Sequence, residues 1–82
     1  MRIWAKIIDG EKIVKDAIYT GNKEDDFFTH LSAICTQLDI ATPILMEKHI
    51  DNFYDFNHVK FRQSDFLEEV TFDSLILEDA EI

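Results

Sequence analysis

Four side chains that could ligate a metal ion recur through the middle of the chain. Glu47, Asp51, Asp55 and His58 follow at steps of four, four and three residues, so a continuous helix would carry them on one stripe. Carboxylate oxygens and an imidazole suit a hard or borderline cation. No zinc or calcium-loop spacing accompanies them, and acidic chains form such stripes without metal, so a solvated face is favoured. A small metal- or ligand-binding regulatory domain is the alternative.

Residues that could act as nucleophiles or paired acids lack a catalytic setting. Cys35 lies on the apolar stripe of a predicted helix, where a free cysteine behaves as a small buried hydrophobe. Neighbouring carboxylates such as Glu68 and Glu69 point apart on a helix or strand. None of the candidate serines stands in a nucleophile elbow: Ser32, Ser64 and Ser74. The sequence therefore predicts no catalytic residue and no cofactor, and it favours a protein that is not an enzyme.

Aromatic residues are more numerous than one small core readily accommodates. The chain has seven Phe, two Tyr and one Trp in 82 residues, and a domain of this size buries only about 60% of the surface that its unfolded chain exposes. Exposed aromatic surface is typical of an interaction site. The predicted interface residues are Trp4, Tyr19, Phe53, Tyr54 and Phe56. They indicate a protein interaction module, with a homodimer as one form of it.

The charge balance limits the classes of partner. Asp and Glu number 17 against 8 Lys and Arg, for a net charge of −9. Such a field repels nucleic-acid phosphate and anionic lipid, so we expect no nucleic-acid partner and no membrane partner. The classes of partner that the charge still allows are a basic protein and a second copy of this chain. No apolar run approaches the roughly 20 residues of a membrane span, no secretion signal opens the chain, and a lone cysteine suits a reducing compartment. A cytoplasmic protein is predicted.

The first twenty residues predict a β-hairpin. Two β-rich runs, 3–8 and 13–19, flank Asp9-Gly10, a dipeptide suited to a type I′ turn. That turn pairs Ile8 with Glu11 and Ala5 with Val14. One face then carries Ile3, Ala5, Ile7, Val14 and Ile18. The other face carries Trp4, Ile8, Ile13 and Tyr19 with the basic residues Arg2, Lys6 and Lys15.

Helical spacing and a second pair of strands follow the hairpin. The strongest stripe is Phe27, Leu31, Ile34 and Leu38, widened by Phe28 and Cys35. Asn22 is its predicted cap, and it should end near Asp39 because Pro43 disfavours helix at the preceding residue. The chain is completed by a second helix over about 47–57, strands at 59–62 and 72–77, and one helical turn from Ser64 through Glu69. We therefore predict one α+β domain over 1–82, a mainly antiparallel sheet of about four strands with helices packed on one face.

Two long segments carry a family resemblance. The first segment runs from Cys35 to Phe53, CTQLDIATPILMEKHIDNF, and the second runs from Val59 to Asp79, VKFRQSDFLEEVTFDSLILED. The opening residues RIWAKII belong to the same pattern. Together they resemble a family of small acidic proteins from Gram-positive bacteria that has no assigned activity. The resemblance covers most of the chain but only motifs of structural character. It implies a bacterial cytosolic protein and carries over no functional residue.

Overall fold

The chain folds into one four-stranded antiparallel sheet covered by two helices, and the structure, a computed structural model, describes residues 1–81. β1 spans Arg2–Asp9 and β2 spans Lys12–Thr20, with α1 at Phe27–Leu38 and α2 at Glu47–Phe56. β3 covers His58–Arg62, a short 3₁₀ turn covers Gln63–Asp65, and β4 covers Ser74–Asp79. The spatial order is β2, β1, β4, β3, and every neighbouring pair is antiparallel. The predicted α+β class is confirmed.

The core lies between one face of the sheet and both helices. Alternate residues of β1, β3 and β4 point inward, and they pack with the apolar stripe of α1 and with Phe53 of α2. The inward strand residues are Ile3, Ala5, Ile7, Val59, Phe61, Leu75 and Leu77. Burying such side chains supplies about 1.5–3 kcal/mol each, so this two-layer arrangement carries the stability of the fold. The inward face predicted for β1 is confirmed.

The hairpin turn lies one residue further along the chain than the sequence predicts. Gly10 and Glu11 are its centre, with φ of 59° and 65°, and Asp9 pairs with Lys12. Positive φ at both positions is the geometry of a type I′ turn, but a glutamate rarely adopts it, which is why Asp9-Gly10 was the expected centre. Ile8 consequently pairs with Ile13 instead of Glu11.

A β-bulge in β2 reverses the faces expected for most of that strand. The register shifts between Ile7 and Ile8, so Ile7 pairs with Lys15 while Val14 is the extra residue. Ala5 therefore pairs with Ala17, and Ile3 with Tyr19. The prediction that Val14 and Ile18 share a face with Ile3, Ala5 and Ile7 is wrong: those three are buried, whereas Val14 and Ile18 are 57% and 53% exposed. Tyr19, Lys15 and Ala17 share the inward side instead.

The first helix starts later than the sequence predicts but ends where the sequence predicts. Asp26, and not Asn22, is the N-cap: its carboxylate accepts a hydrogen bond from the Thr29 backbone N–H at 2.9 Å. The helix ends at Asp39, as the sequence predicts, and the backbone of Asp39 adopts the left-handed conformation. Lys15 Nζ donates to the Leu38 carbonyl at 2.8 Å, which places a cation at the negative end of the helix dipole. The buried stripe of α1 is confirmed except for Phe28, which is exposed.

The second helix is joined to the 3₁₀ turn through a buried histidine. His49 Nδ1 accepts a hydrogen bond from the Met46 backbone N–H at 2.9 Å and so caps the start of α2. Its ring packs on Phe61, with ring centroids 4.5 Å apart, and its Nε2 lies 3.7 Å from Asp65 Oδ2. Because Nδ1 acts as the acceptor, the neutral ring carries its proton on Nε2. Burial lowers the pKa of His49, and Asp65 partly opposes that effect.

Candidate interaction surface

One face of the sheet is left without a covering layer. Both helices pack on the inward face, and no helix of residues 1–81 packs on the other. We call this second side the open face. Its outward side chains, identified from the strand register, are Arg2, Trp4, Lys6, Ile8, Ile13, Asp16, Ile18, Thr20, His58, Lys60, Arg62, Ser74, Ile76 and Glu78.

The half of the open face on β1 and β2 is rich in apolar side chains. Trp4 pairs directly with Ile18, and Ile8 pairs with Ile13, so two apolar pairs cross the two strands with the Lys6–Asp16 pair between them. Ile13 is 49% exposed, and the bulge residue Val14 adds further apolar surface beside it. Large apolar side chains that cluster on an exposed face are typical of a surface that another protein covers.

A small polar network holds Trp4 in place at the middle of the open face. The Trp4 indole Nε1 donates to Asp16 Oδ2 at 2.8 Å, and Lys6 Nζ lies 4.1 Å from the centroid of the Trp4 ring. Lys6 also approaches Glu78 on β4, with 3.8 Å between Nζ and Oε2. A cation over an aromatic ring at a wet site contributes about 0.5–1 kcal/mol, enough to favour one ring orientation. The indole is therefore half-buried and already oriented.

The other half of the open face, on β3 and β4, is basic. His58, Lys60 and Arg62 alternate outward along β3, and Lys60 and Arg62 form no ion pair with any carboxylate in residues 1–81. Lys60 and Arg62 line an open cleft of about 380 Å³ together with Gln63, Ser64, Asp73 and Ser74.

Charge is distributed unevenly between the two sides of the molecule. Arg2, Lys6, Lys60 and Arg62 are half of the chain's 8 Lys and Arg, whereas Asp16 and Glu78 are the acids on the same face out of 17. The open face is therefore locally basic although the chain is strongly acidic. Most of the negative charge lies on the helical side and in the loops.

The five aromatic residues predicted to form an interface do not share one surface. Trp4 lies on the open face, but Tyr19 lies on the inward side of β2, with its hydroxyl 2.9 Å from His30 Nδ1. Phe53 is 2% exposed and belongs to the core, so its ring is not available to a partner. Tyr54 and Phe56 are 55% and 64% exposed on α2, on the helical side. Only Trp4 of the five joins the open face.

The predicted metal stripe is interrupted by the end of α2. Glu47, Asp51 and Asp55 are exposed along the helix, but Asn57 adopts the left-handed region with φ of 64° and ends it. His58 consequently lies in β3, where its Nδ1 is 3.0 Å from the Phe56 carbonyl oxygen. Within residues 1–81, no three His, Cys, Asp or Glu side chains are grouped to hold a metal ion. The continuous helix on which the metal interpretation depended is absent here.

Cys35 and His30 are buried polar groups of the core. Cys35 is fully buried, as predicted, and burial raises the pKa of its thiol to about 11, so the reactive thiolate is strongly disfavoured. His30 is also fully buried, and its Nε2 has no hydrogen-bond partner among the described residues. The hydrogen bond between Tyr19 and His30 Nδ1 is therefore the ring's one polar contact in residues 1–81. Burial raises the pKa of Tyr19, which keeps the phenol protonated.

The sequence pattern placed Trp4, Ile8 and Ile13 on one face of the hairpin, as the structure does, but it missed Ile18 on that face and it missed the cleft. The alternation in 59–62 does indicate a wet side of β3 that carries Lys60 and Arg62. The positions of Ile18 and Val14 depend on the bulge, for which no glycine gives a signal. The cleft depends on residues 73–74 meeting 60–64, a long-range contact that spacing along the chain does not show.

The chain was compared with known proteins at three levels. No protein-family model, no curated protein and no solved structure matches it. The resemblance to small acidic proteins of Gram-positive bacteria therefore stays a prediction. Among residues 1–81, no helix has the length and apolar character that crossing a bilayer requires.

Proposed function

We propose that this chain is a non-enzymatic protein interaction module whose partner, another protein or a second copy, covers the open face of the sheet. The observation that carries the proposal is the presence of two uncovered apolar pairs across β1 and β2, Trp4 with Ile18 and Ile8 with Ile13. An interface of this kind places an aromatic anchor among aliphatic side chains, with charged groups at the border.

The held indole supports binding at the centre of the open face. Trp4 is fixed by Asp16 and Lys6 before any partner arrives, so less side-chain freedom is lost on association. Ile18 and Ile13 are about half exposed and supply apolar area that a partner can remove from water. A partner would be apolar opposite β1 and β2 and acidic opposite Lys60 and Arg62, which have no ion pairs in residues 1–81.

A basic partner would be attracted to a different part of the molecule. Glu47, Asp51 and Asp55 lie exposed along α2, and Tyr54 and Phe56 offer aromatic surface on the same helix. Among residues 1–81, the helical side has no aromatic ring held by both a hydrogen bond and a cation as Trp4 is. Charge alone increases the rate of association more than it stabilises a complex. We therefore assign the principal interface to the open face, with the basic-partner hypothesis attached to the helical side.

We propose a non-enzymatic protein because its candidate catalytic side chains lack the surroundings that catalysis requires. The single thiol is buried with its pKa raised. Within residues 1–81, the exposed acids do not converge in an apolar pocket where a raised pKa would support acid-base catalysis. A bacterial cytoplasm is the proposed location, because the single cysteine forms no internal disulfide.

Site-specific photo-crosslinking in native cells tests which side binds. A photoreactive phenylalanine analogue replaces Ile18 on the open face and, in a matched control, Asp51 on the helical side, since both positions are exposed. We expect a discrete adduct from position 18 and none from position 51. An adduct at twice the chain mass identifies a second copy, and sedimentation across a concentration series checks it. Adducts from position 51 alone would contradict the proposal.

A further inference from the structure

The cleft at the basic end of the open face has walls that are tied together by hydrogen bonds. Gln63 Nε2 donates to the Phe72 carbonyl at 2.7 Å, which connects the 3₁₀ turn to the segment before β4. The backbone N–H of Gly10 donates to Asp73 Oδ2 at 2.9 Å, which connects that segment to the hairpin turn. The cleft therefore exists before a ligand enters, and its volume of about 380 Å³ suits a small molecule or one modified side chain.

Two cations face this cleft without neutralising partners. Lys60 and Arg62 occupy alternate positions of β3 and line the same opening. Neither forms an ion pair within residues 1–81, although acids outnumber basic residues 17 to 8. Two acids near the cleft already accept backbone hydrogen bonds: Asp65 Oδ2 accepts from the Arg62 N–H at 2.8 Å, and Asp73 accepts from Gly10. The cationic groups remain available to a ligand.

We propose that this cleft binds a phosphate monoester. A guanidinium binds phosphate oxygens through paired N–H donors, and an ammonium adds a point charge that favours a dianion over a carboxylate. The hydroxyl of Ser64 lines the same space and can donate a third hydrogen bond. Asp73 lines the same cleft and supplies an acceptor for a hydroxyl or amide carried beside the phosphate.

The net charge of −9 does not prevent such binding. At physiological ionic strength, exposed charges further apart than about 8 Å are largely screened from each other. The residues that line the cleft include two cations, Lys60 and Arg62, and one carboxylate, Asp73, so the local charge at the cleft is positive. The phosphate can belong to a free metabolite or to a phosphorylated side chain of a partner. The cleft uses Lys60 and Arg62 at the basic end of the open face, whereas the apolar contact proposed above lies on β1 and β2.

Backbone amide NMR titration of the intact chain tests the site. The probes are glycerol phosphate, a short neutral peptide with one phosphoserine, and acetate as a monoanion. We expect saturable shifts confined to residues 58–65 and 73–74 with both phosphate probes, and much weaker binding of acetate. Comparable affinity of the two phosphate probes assigns a free metabolite, whereas a peptide that binds about tenfold tighter or more assigns a modified partner.

Charge-removing variants provide the matched comparison. Arg62→Gln and, separately, Lys60→Gln should each weaken phosphate binding about tenfold, because each removes a charged donor. Both side chains are exposed, so we expect both variants to fold. Lys48→Gln, on the exposed surface of α2, should leave the affinity unchanged. Shifts that do not saturate, that survive both cleft variants, or that Lys48→Gln reduces equally would overturn the proposal.

Discussion

The two faces of the sheet are made by the same strands but differ in the side chains they carry and in their exposure to water. Inward residues of β1, β3 and β4 are apolar and nearly inaccessible to water, whereas their neighbours on the open face mix isoleucine, tryptophan and cations. The inward face stabilises the fold through burial. The open face adds little burial of its own and leaves apolar and basic groups exposed. Alternation along a strand thus separates the residues for folding from those we propose for binding.

The largest expected contrast is between adjacent residues of β3. Phe61 is fully buried and packs on His49, whereas Lys60 points into solvent. Phe61→Ala should lower the free energy of unfolding by about 3–5 kcal/mol, because it removes apolar contacts and leaves a cavity. Lys60→Ala should change it by no more than about 0.5 kcal/mol. Urea denaturation of both variants measures the difference, and similar losses would break the distinction between the faces.

A smaller effect is expected at the edge of the inward face. Tyr19→Phe removes the hydroxyl that bonds His30 Nδ1 and leaves a buried ring without its polar contact in residues 1–81. We expect a loss of about 1–2 kcal/mol in the free energy of unfolding. Tyr54→Phe is the matched control, because Tyr54 is 55% exposed. Equal stability of the two variants in thermal unfolding would show that the hydrogen bond to His30 contributes nothing.

The pH dependence of stability should depend on the inward histidine His49. Its folded-state pKa lies below its unfolded value, chiefly through burial, although Asp65 raises it and Lys48 lowers it. Below about pH 6.5 the unfolded chain therefore binds more protons, so stability is full above that pH and falls as the pH drops towards the folded pKa. Protonation also removes the Nδ1 acceptor that caps α2.

The measurement compares histidine variants between pH 7.5 and 5.5. His49→Gln should flatten the fall in the free energy of unfolding over this range, whereas His58→Gln, at an exposed position of β3, should leave it intact. An unchanged slope in His49→Gln would show that other groups govern the acid response.

The smallest expected change in stability comes from the open face itself. Ile18→Ser should alter the free energy of unfolding by less than about 1 kcal/mol, because the side chain is already 53% exposed. The same variant should lose the cross-linked adduct when the photoreactive group is moved to Ile13. Thermal unfolding and cross-linking together therefore separate a binding role from a folding role. Full retention of the adduct would remove Ile18 from the interface.

Local patterns along the chain predicted both helices and all four strands to within a few residues, but not which side chains the strands and helices expose. The predicted final strand at 72–77 lies at Ser74–Asp79, and the helical turn predicted from Ser64 through Glu69 is a 3₁₀ turn at Gln63–Asp65. Phe27, Leu31, Ile34 and Leu38 gave the first helix because their spacing follows its turn, and alternation in β1 gave its buried face. Phe53 and Tyr54 share one predicted interface in the sequence, yet only Tyr54 is exposed, because the orientation of α2 is decided by its packing on the sheet. Contacts between distant segments, such as Gln63 with Phe72, determine the cleft.

The extra residue in β2 has a consequence for sequence variation. Loss of Val14 or a neighbour would remove the bulge, and each later position of the strand would exchange sides with the one beside it. Tyr19 would then turn away from His30, and Ile18 would turn towards α1. A one-residue gap at this point in an alignment would therefore not be a neutral difference in loop length. Relatives that share the composition of this strand but lack one residue would present different chemistry to a partner.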